Sequence, residues 1–203
     1  MNLTRRLIAL AAPAIVALTL IGAGSHAATP RAPLYPQVKF TTSAGDFVVQ
    51  LNGRKAPLTT RNFLKYVESG HYNGTIFHRV ISGFMAQGGG YDTDLTEKPT
   101  RDGIPNESGN GLSNAPYTLA MARTGDPHSA SAQFFVNLAD NSRLDPSPSR
   151  WGYAVFGEVV EGKEVIDALG AMETGPKGRF RSDVPKTDVV IKKAFVLKPD
   201  TTK

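Results

Sequence analysis

The stretch 77–90, FHRVISGFMAQGGG, constrains the fold more than any other part of the chain. Residues 76–81 alternate in polarity, and a turn at 82–83 leads into the run FMAQ at 84–87. A period of two around a glycine turn predicts two short strands that pair or bend over a barrel wall. The segment also places a guanidinium, that of Arg79, beside large apolar side chains and an amide. A purely structural strand pair rarely carries this set, so the stretch predicts a shallow apolar pocket for a carbonyl-rich, apolar ligand.

Short alternating segments continue along most of the chain, separated by turns rich in the 20 glycines and 14 prolines. Such segments predict β-strands. Helical spacing is confined to the run from Pro57 to Gly70, with Thr59 or Thr60 as N-cap, and to 161–172. Many short strands with two helices favour a mainly β fold, a closed antiparallel barrel. The predicted strands are 38–40, 47–51, 76–81, 84–87, 117–122, 133–138, 153–160 and 189–197.

The polar stretch 91–114 shows no helix or strand pattern. A structureless segment of this length in a compact domain is usually functional or mobile. The alternative, a linker between two domains, is disfavoured because the strands on either side are too few to close separate cores. The sequence therefore predicts one domain over 37–198 that contains a long polar loop.

The segment 77–90 resembles the core motif of the cyclophilin-type peptidyl-prolyl cis-trans isomerases, FHR-V-I-x-G-F-M-x-Q-G-G. The QFF of the same family is matched by residues 133–135, and the resemblance extends over 38–197. It implies an eight-stranded antiparallel barrel capped by two α-helices, isomerase activity on X-Pro bonds and no cofactor. Within the long loop, IPNE at 104–107 and NGL at 110–112 resemble exported bacterial cyclophilins specifically.

Rotation about an X-Pro bond requires no covalent chemistry. The barrier is amide resonance, about 20 kcal/mol, and the two isomers lie within roughly 1 kcal/mol of each other. A catalyst must favour the twisted state, in which the proline nitrogen is pyramidal and carries a lone pair. An apolar pocket for the ring and a donor aimed at the lone pair or the rotated oxygen supply this. No nucleophile, acid–base pair or metal is needed.

The resemblance implies that Arg79 is the catalytic donor and that Phe84, Met85 and Phe135 form the proline pocket. Without the motif, Arg79 would be interpreted as an ordinary surface arginine on a strand. The Phe and Met side chains would likewise be interpreted as core. Their combination in two matching motifs favours the functional interpretation.

Two amides and one main-chain segment complete the substrate-binding set that the resemblance implies. Gln87 and Gln133 are expected to hold the substrate backbone or to orient the catalytic guanidinium. Ala122-Arg123 stands where the family usually has Ala-Asn, and it is expected to bind substrate backbone through main-chain groups. The arginine adds a charge at the rim of the pocket.

Leu144 and Asp145 match the family's Leu-Asp, and Leu144 is expected on the pocket wall. Two wall positions depart from the pattern of many members, since Arg143 replaces Trp and Tyr153 replaces His. Loss of the Trp predicts weak binding of the macrocyclic inhibitor cyclosporin. Isomerase activity is expected to persist because the donor and the ring pocket remain.

The N-terminus predicts export. Arg5 and Arg6 precede an apolar run that ends in Ser25-His26-Ala27, so 1–27 is predicted to be a cleaved signal peptide; an uncleaved membrane anchor is the alternative. The arginine pair is a partial match to a twin-arginine signal, and the export route stays open. Residues 28–36 are predicted to be a flexible lead-in and 199–203 a C-terminal tail. The mature protein is predicted to be periplasmic or secreted, monomeric and without stable membrane association.

Composition and motifs disfavour other functions. Loss of the two signal arginines lowers the formal charge from +5 to +3, and basic residues are not clustered as in nucleic-acid binders. The four histidines lack metal-ligand spacing, so no metal site is predicted. Gly-x-Ser-x-Gly and cysteine nucleophiles are absent from the sequence. The rival hypotheses are a non-catalytic chaperone or scaffold that grips proline-containing segments, and a secreted immunomodulatory or adhesive protein whose isomerase activity is incidental.

Overall fold

The computed structural model describes residues 34–198. Its strands are β1 (Gln37–Thr42), β2 (Asp46–Leu51), β3 (Thr75–Ile81), β4 (Met85–Asp92), β5 (Thr118–Met121), β6 (Phe134–Asn137), β7 (Val155–Glu161), β8 (Thr174–Lys177), β9 (Phe180–Pro185) and β10 (Val190–Val196), and its helices are α1 (Pro57–Glu68) and α2 (Lys163–Gly170). Eight strands close into an antiparallel barrel in the order β1-β10-β3-β4-β6-β5-β7-β2, and β8 pairs only with β9. The predicted closed, eight-stranded antiparallel barrel with two helices is confirmed. The predicted signal peptide (1–27), most of the lead-in and the tail (199–203) lie outside the described residues.

Helix α1 begins differently from the prediction. Its N-cap is Ala56, which makes no side-chain cap hydrogen bond, and Pro57 occupies the first turn, where its missing N–H costs nothing. Thr59 lies inside the helix instead of capping it. The carboxylate of Glu107 in the polar loop accepts hydrogen bonds from the N–H groups of Leu58 (3.1 Å) and Thr59 (2.8 Å). An acidic group from a distant loop therefore satisfies the orphan donors that a local cap would otherwise take.

Aromatic side chains fill the barrel interior. Phe40 of β1 stacks on Phe47 of β2 with ring centroids 4.8 Å apart, and Phe63 of α1 lies 5.6 Å from Phe134 of β6. All four are at most 1% exposed, and Ile166 of α2 belongs to the same cluster. Burial of one such side chain contributes roughly 1.5–3 kcal/mol. Both helices are thus held to the barrel by their apolar faces.

An irregularity in β3 interrupts the predicted alternation. Phe77 pairs with Gly88 on β4 and Arg79 pairs with Gln87, so His78 is an extra residue on β3, as in a β-bulge. Regular alternation would place residues 77 and 79 on the same face. Because of the extra residue, Phe77 lies in the barrel interior while Arg79 is exposed on the outside. The bulge therefore decides which way the guanidinium faces.

The hairpin β8–β9 is the element that the sequence patterns did not predict. Its strands contain Gly175 and Pro176 and show no clear alternation. The hairpin is fixed by Phe180, whose ring centroid lies 5.8 Å from that of His78 and 5.2 Å from that of Tyr91. It thereby covers the outer side of β3 next to the bulge.

The polar stretch after β4 contains no helix and only isolated β-bridges up to the start of β5. Side-chain amides fasten it to the rest of the domain. Asn106 Nδ2 donates to the carbonyls of Pro127 and Gly152, each at 3.1 Å, and Asn110 Nδ2 donates to that of Val155 at 2.9 Å. These hydrogen bonds fix the loop to distant parts of the described chain.

Candidate active site

A small hollow opens on the outer face of the barrel. Its volume is about 130 Å³, close to the roughly 150 Å³ of a protein cavity that holds a benzene ring. There is thus room for one five-membered ring. The structure brings nine of the ten side chains predicted for the site around this hollow. They are Arg79, Phe84, Met85, Gln87, Ala122, Arg123, Phe135, Leu144 and Tyr153.

The floor of the hollow is apolar and separate from the barrel interior. Met85 on β4 and Phe135 on β6 are 2% and 4% exposed, and both belong to a small cluster distinct from the interior one. Phe84, in the turn before β4, packs partly buried against this cluster. Of these three side chains, Phe84 therefore supplies most of the apolar area that a ligand ring can cover.

Arg79 provides the cation at the edge of the hollow. Its side chain is 45% exposed, and its Nε lies 3.8 Å from Oδ2 of Asp183 on β9. Among residues 34–198 its terminal nitrogens make no hydrogen bond, so they are available to a ligand. Asp183 has a left-handed backbone with φ of 67°, which is uncommon for a residue other than glycine. Sequence reasoning missed this carboxylate, because no motif links the hairpin to β3.

Gln133, the tenth predicted residue, does not line the hollow but contacts a residue that does. Its Oε1 accepts a hydrogen bond of 2.9 Å from Nε2 of Gln87, which lines the hollow. A Cβ at Gly90 would lie 2.5 Å from the Gln133 amide carbon, so the last glycine of the motif leaves space for this side chain. Gln133 is therefore placed to orient Gln87.

The wall formed by Arg123 and Tyr153 is held by aromatic and main-chain contacts. Arg123 Cζ lies 4.5 Å from the centre of the Tyr153 ring, which packs edge-on to Phe135 at 5.7 Å. The Arg123 guanidinium also donates to the carbonyls of Thr124 and Trp151, each at 2.9 Å. The N–H of the preceding residue, Ala122, donates to the Gln133 carbonyl at 3.0 Å. Because this bond occupies the N–H of Ala122, only the other main-chain groups of Ala122 and Arg123 can bind substrate as predicted.

Leu144 lines the hollow next to Tyr153, whose N–H donates to its carbonyl at 2.9 Å, and the departure from the family pattern, Arg143, precedes it in the chain. Arg143 and Leu144 lie in a short 3₁₀ turn, and Arg143 Cζ lies 4.6 Å from the centre of the Phe84 ring. Asp145 faces away from the hollow, since its carboxylate accepts hydrogen bonds from Ser113 and from the backbone and side chain of Asn114. It therefore anchors the polar loop to this wall.

His78, next to Arg79, titrates abnormally. Burial between β3 and the hairpin lowers its pKa to about 4, since desolvation disfavours the imidazolium. Within the part of the chain that the structure describes, its Nδ1 has no hydrogen-bond partner. His78 is thus neutral at pH 7 and contributes packing, with no proton to supply to the hollow.

Other surface features do not form a comparable site. Larger hollows of about 460 Å³ beside α1 and about 410 Å³ around Trp151 share no lining residue with this one. Residues 34–198 contain no group of three or more potential metal ligands. Within the same residues, no helix combines the length and apolarity required to cross a bilayer.

Residues 37–196 match the family model of the cyclophilin type peptidyl-prolyl cis-trans isomerase/CLD. The chain belongs to this family. Among cyclophilin relatives, it is 55% identical over 163 residues to peptidyl-prolyl cis-trans isomerase cyp18 of Streptomyces antibioticus (79% of this chain, 98% of that one). It is 51% identical over 162 residues to isomerase B of Escherichia coli K12 (78% and 98%). The predicted family and enzyme class, a peptidyl-prolyl cis-trans isomerase, are confirmed.

A solved structure of similar fold comes from Cryptosporidium parvum. That cyclophilin-type isomerase, crystallised in the presence of the dipeptide Ala-Pro, superposes with a TM-score of 0.67 at 26% identity. The match covers 80% of this chain and 99% of the parasite chain. The exported subtype and the roles of individual residues stay predictions.

Proposed function

We propose that this cyclophilin accelerates X-Pro rotation in exported proteins as they fold, with Arg79 as the donor that stabilises the twisted imide. The observation that carries the mechanism is the guanidinium of Arg79 at the edge of a ring-sized apolar hollow, with terminal nitrogens that make no hydrogen bond among residues 34–198. The hollow takes the proline ring, and the ring's burial against Met85 and Phe135 holds the imide bond beside the guanidinium. Proline-containing polypeptides are the substrates.

Catalysis follows from preferential binding of the twisted state. In the planar imide, the nitrogen lone pair is delocalised into the carbonyl and accepts no hydrogen bond. In the twisted state the lone pair is localised on nitrogen, and the Arg79 N–H groups stabilise it there. Because this interaction is stronger in the transition state than in either isomer, it lowers the barrier in both directions. The reaction moves no proton between protein and substrate.

The remaining site residues orient Arg79 and the substrate. Asp183 takes the Nε side of Arg79, which directs the terminal nitrogens away from the hairpin and towards the hollow. Gln87, itself held by Gln133, contributes an amide that binds the carbonyl of the residue before proline. Main-chain groups of Ala122 and Arg123 other than the occupied N–H of Ala122 bind further substrate backbone.

The location of the activity rests on the N-terminal sequence. The charged start, apolar run and small residues before position 28 support export through a cleaved signal. We therefore place the mature protein, a monomer, in the periplasm or outside the cell. Because Arg143 occupies the wall position where many members have Trp, weak cyclosporin binding remains our expectation.

Exchange spectroscopy by NMR on a proline peptide tests the proposed function, because it reports binding and rotation in one experiment. We expect the full-length protein at substoichiometric concentration to cause cis–trans exchange on the millisecond to second scale. Uncatalysed exchange takes tens of seconds or longer. Binding shifts without faster exchange would instead establish the non-catalytic scaffold. Detection of the chain only in the cytoplasm of its host would refute the export proposal while leaving the isomerase activity intact.

A further inference from the structure

Arginines surround the hollow to an extent that the isomerase reaction does not require. Arg79 and Arg123 line it, and Arg143 stacks on Phe84, which also lines it. A fourth arginine, Arg150, donates to the main-chain carbonyls of residues 143 and 145 at 2.6 and 2.9 Å. It thus flanks the wall residue Leu144. Only one guanidinium is needed as the donor to the twisted imide, so the other three call for a separate explanation.

The two wall arginines are held in place by uncharged partners. Arg143 rests on the Phe84 ring at 4.6 Å and, among residues 34–198, has no salt bridge. Arg123 rests on the Tyr153 ring at 4.5 Å and donates only to main-chain carbonyls. Ring and carbonyl contacts fix a guanidinium in position but do not neutralise its charge. Among residues 34–198 both cations are therefore held in position without an ion-pair partner, Arg123 in the lining of the hollow and Arg143 against Phe84 beside it.

The nearby carboxylates do not cancel this charge. Asp183 faces Arg79, and Glu97 lies 3.7 Å from Arg179 on the hairpin. Asp145 is directed into the polar loop, where Ser113 and Asn114 take its oxygens. The mouth accordingly carries a net positive charge over an apolar floor.

We infer that the site selects proline segments that carry a carboxylate within two residues of the proline, with Arg143 and Arg123 as the specificity-determining residues. This inference rests on the proposed isomerase function and specifies its substrate class. A segment seated by its proline ring would bring such a carboxylate within reach of one wall arginine. Because the charges are at the rim, the main effects are on the rate of encounter and on its dependence on salt.

A comparison of blocked peptides that differ only in charge tests the inference. The pairs Ala-Glu-Pro-Phe against Ala-Gln-Pro-Phe, and Ala-Ala-Pro-Glu against Ala-Ala-Pro-Gln, place the carboxylate before or after the proline. We expect kcat/KM for at least one acidic peptide to exceed that for its amide partner by about fivefold at low salt, the scale of one exposed charge pair. The ratio should approach one in 1 M salt, where the Debye length is about 3 Å.

Variants assign the effect to residues. Arg143→Gln and Arg123→Gln should each lower the acid-to-amide ratio, and Arg61→Gln on the exposed side of α1 is the control with the same change in net charge. Arg123 also ties down main chain, so Arg143→Gln, which breaks no hydrogen bond of its side chain, is the safer variant if folding suffers.

Equal rates within both peptide pairs at low salt would overturn the inference, as would a ratio that falls equally in Arg61→Gln. Those results would leave the isomerase function untouched, provided that the amide peptides are isomerised. If no peptide is isomerised, the proposed function itself fails. The two failures are thus distinguishable in one set of measurements.

Discussion

Phe134 and Phe135 are neighbours on β6, yet they belong to two different apolar regions. Phe134 is fully buried in the barrel interior, where it packs against Phe63 and Tyr72 at 5.6 and 5.5 Å. Phe135 belongs to the smaller outer cluster and lines the hollow. The interior is closed by the helices, whereas the outer cluster is left open at its mouth.

The comparison shows how one barrel separates stability from function. Successive residues of a strand face opposite sides of the sheet, so the same strands supply a sealed core and a ligand floor. The partly exposed Phe84 beside the outer cluster leaves apolar area that a proline ring can cover. The following predictions test this division, from the largest expected effect to the smallest.

The first prediction replaces each of the two phenylalanines separately by alanine. Phe134→Ala leaves a cavity in a closed core and should lower the free energy of unfolding by about 3–5 kcal/mol. Phe135→Ala removes a side chain next to an open hollow that water can enter, so the loss should be smaller, about 1.5–3 kcal/mol. Its kcat/KM for a proline peptide should nevertheless fall at least about tenfold. Urea unfolding and the exchange assay give both quantities, and equal unfolding losses would contradict the division.

The second prediction concerns the part of the outer face that is sealed by the hairpin. Burial holds the pKa of His78 at about 4 in the folded protein, against 6.5 when unfolded. Below pH 6.5 the unfolded chain takes up a proton that the folded one refuses, so stability is complete above pH 6.5 and is lost as the pH falls towards 4. The loss should approach about 3 kcal/mol.

Urea titrations at several pH values measure this dependence. His78→Phe keeps an aromatic ring against Tyr91 and Phe180, and it should flatten the curve between pH 6.5 and 4. His71, whose pKa burial also lowers, should account for the slope that remains. An unchanged slope in His78→Phe would show that the hairpin does not seal this region.

The third prediction concerns the amide behind the hollow. Gln133→Ala removes the acceptor that holds Gln87, so kcat/KM should fall about tenfold, the effect of one lost hydrogen bond of about 1.4 kcal/mol. Stability should change by less than about 1 kcal/mol, because the site is half-buried. Gln50→Ala, on the barrel wall away from this hollow, is the matched control. A similar loss of activity in both variants would argue against the orienting role.

The smallest effect is expected from Asp183→Asn. Asn tolerates the left-handed backbone at this position as well as Asp does, so the hairpin should keep its shape while the ion pair with Arg79 is lost. We expect kcat to fall about threefold with KM unchanged, because an exposed pair contributes only a few tenths to 1 kcal/mol. Asp188→Asn, which loses the pair with Lys177 in the same region, should leave kcat unchanged. A rise in KM alone would point to a binding role for Asp183.

The barrel and the members of the candidate site could be predicted from the sequence, because both depend on local patterns and on two motifs. Nine of the ten predicted side chains meet at one hollow, although strand periodicity alone would have turned Arg79 inward with Phe77. The extra residue at His78 resolves that conflict, and a bulge leaves no mark in a hydrophobic pattern.

The features that sequence reasoning missed depend on contacts between distant segments. The hairpin strands lack alternation, so neither β8 and β9 nor the contact between Asp183 and Arg79 was predicted. The predicted N-cap of α1 was wrong for the same reason. The carboxylate that accepts the hydrogen bonds of the first helical N–H groups comes from Glu107, in a loop after β4. Local N-cap preferences describe only what neighbouring residues can supply.

The most direct test of the account is the kinetic effect of Arg79→Ala on a neutral proline peptide, with Arg54→Ala in an exposed turn as control. If the guanidinium acts on the twisted imide, kcat should fall about 100-fold, the scale of removing one preorganised donor. KM and the free energy of unfolding should stay within a factor of about two and about 1 kcal/mol of the wild type. A kcat equal to that of the wild type would contradict the central claim that Arg79 drives rotation.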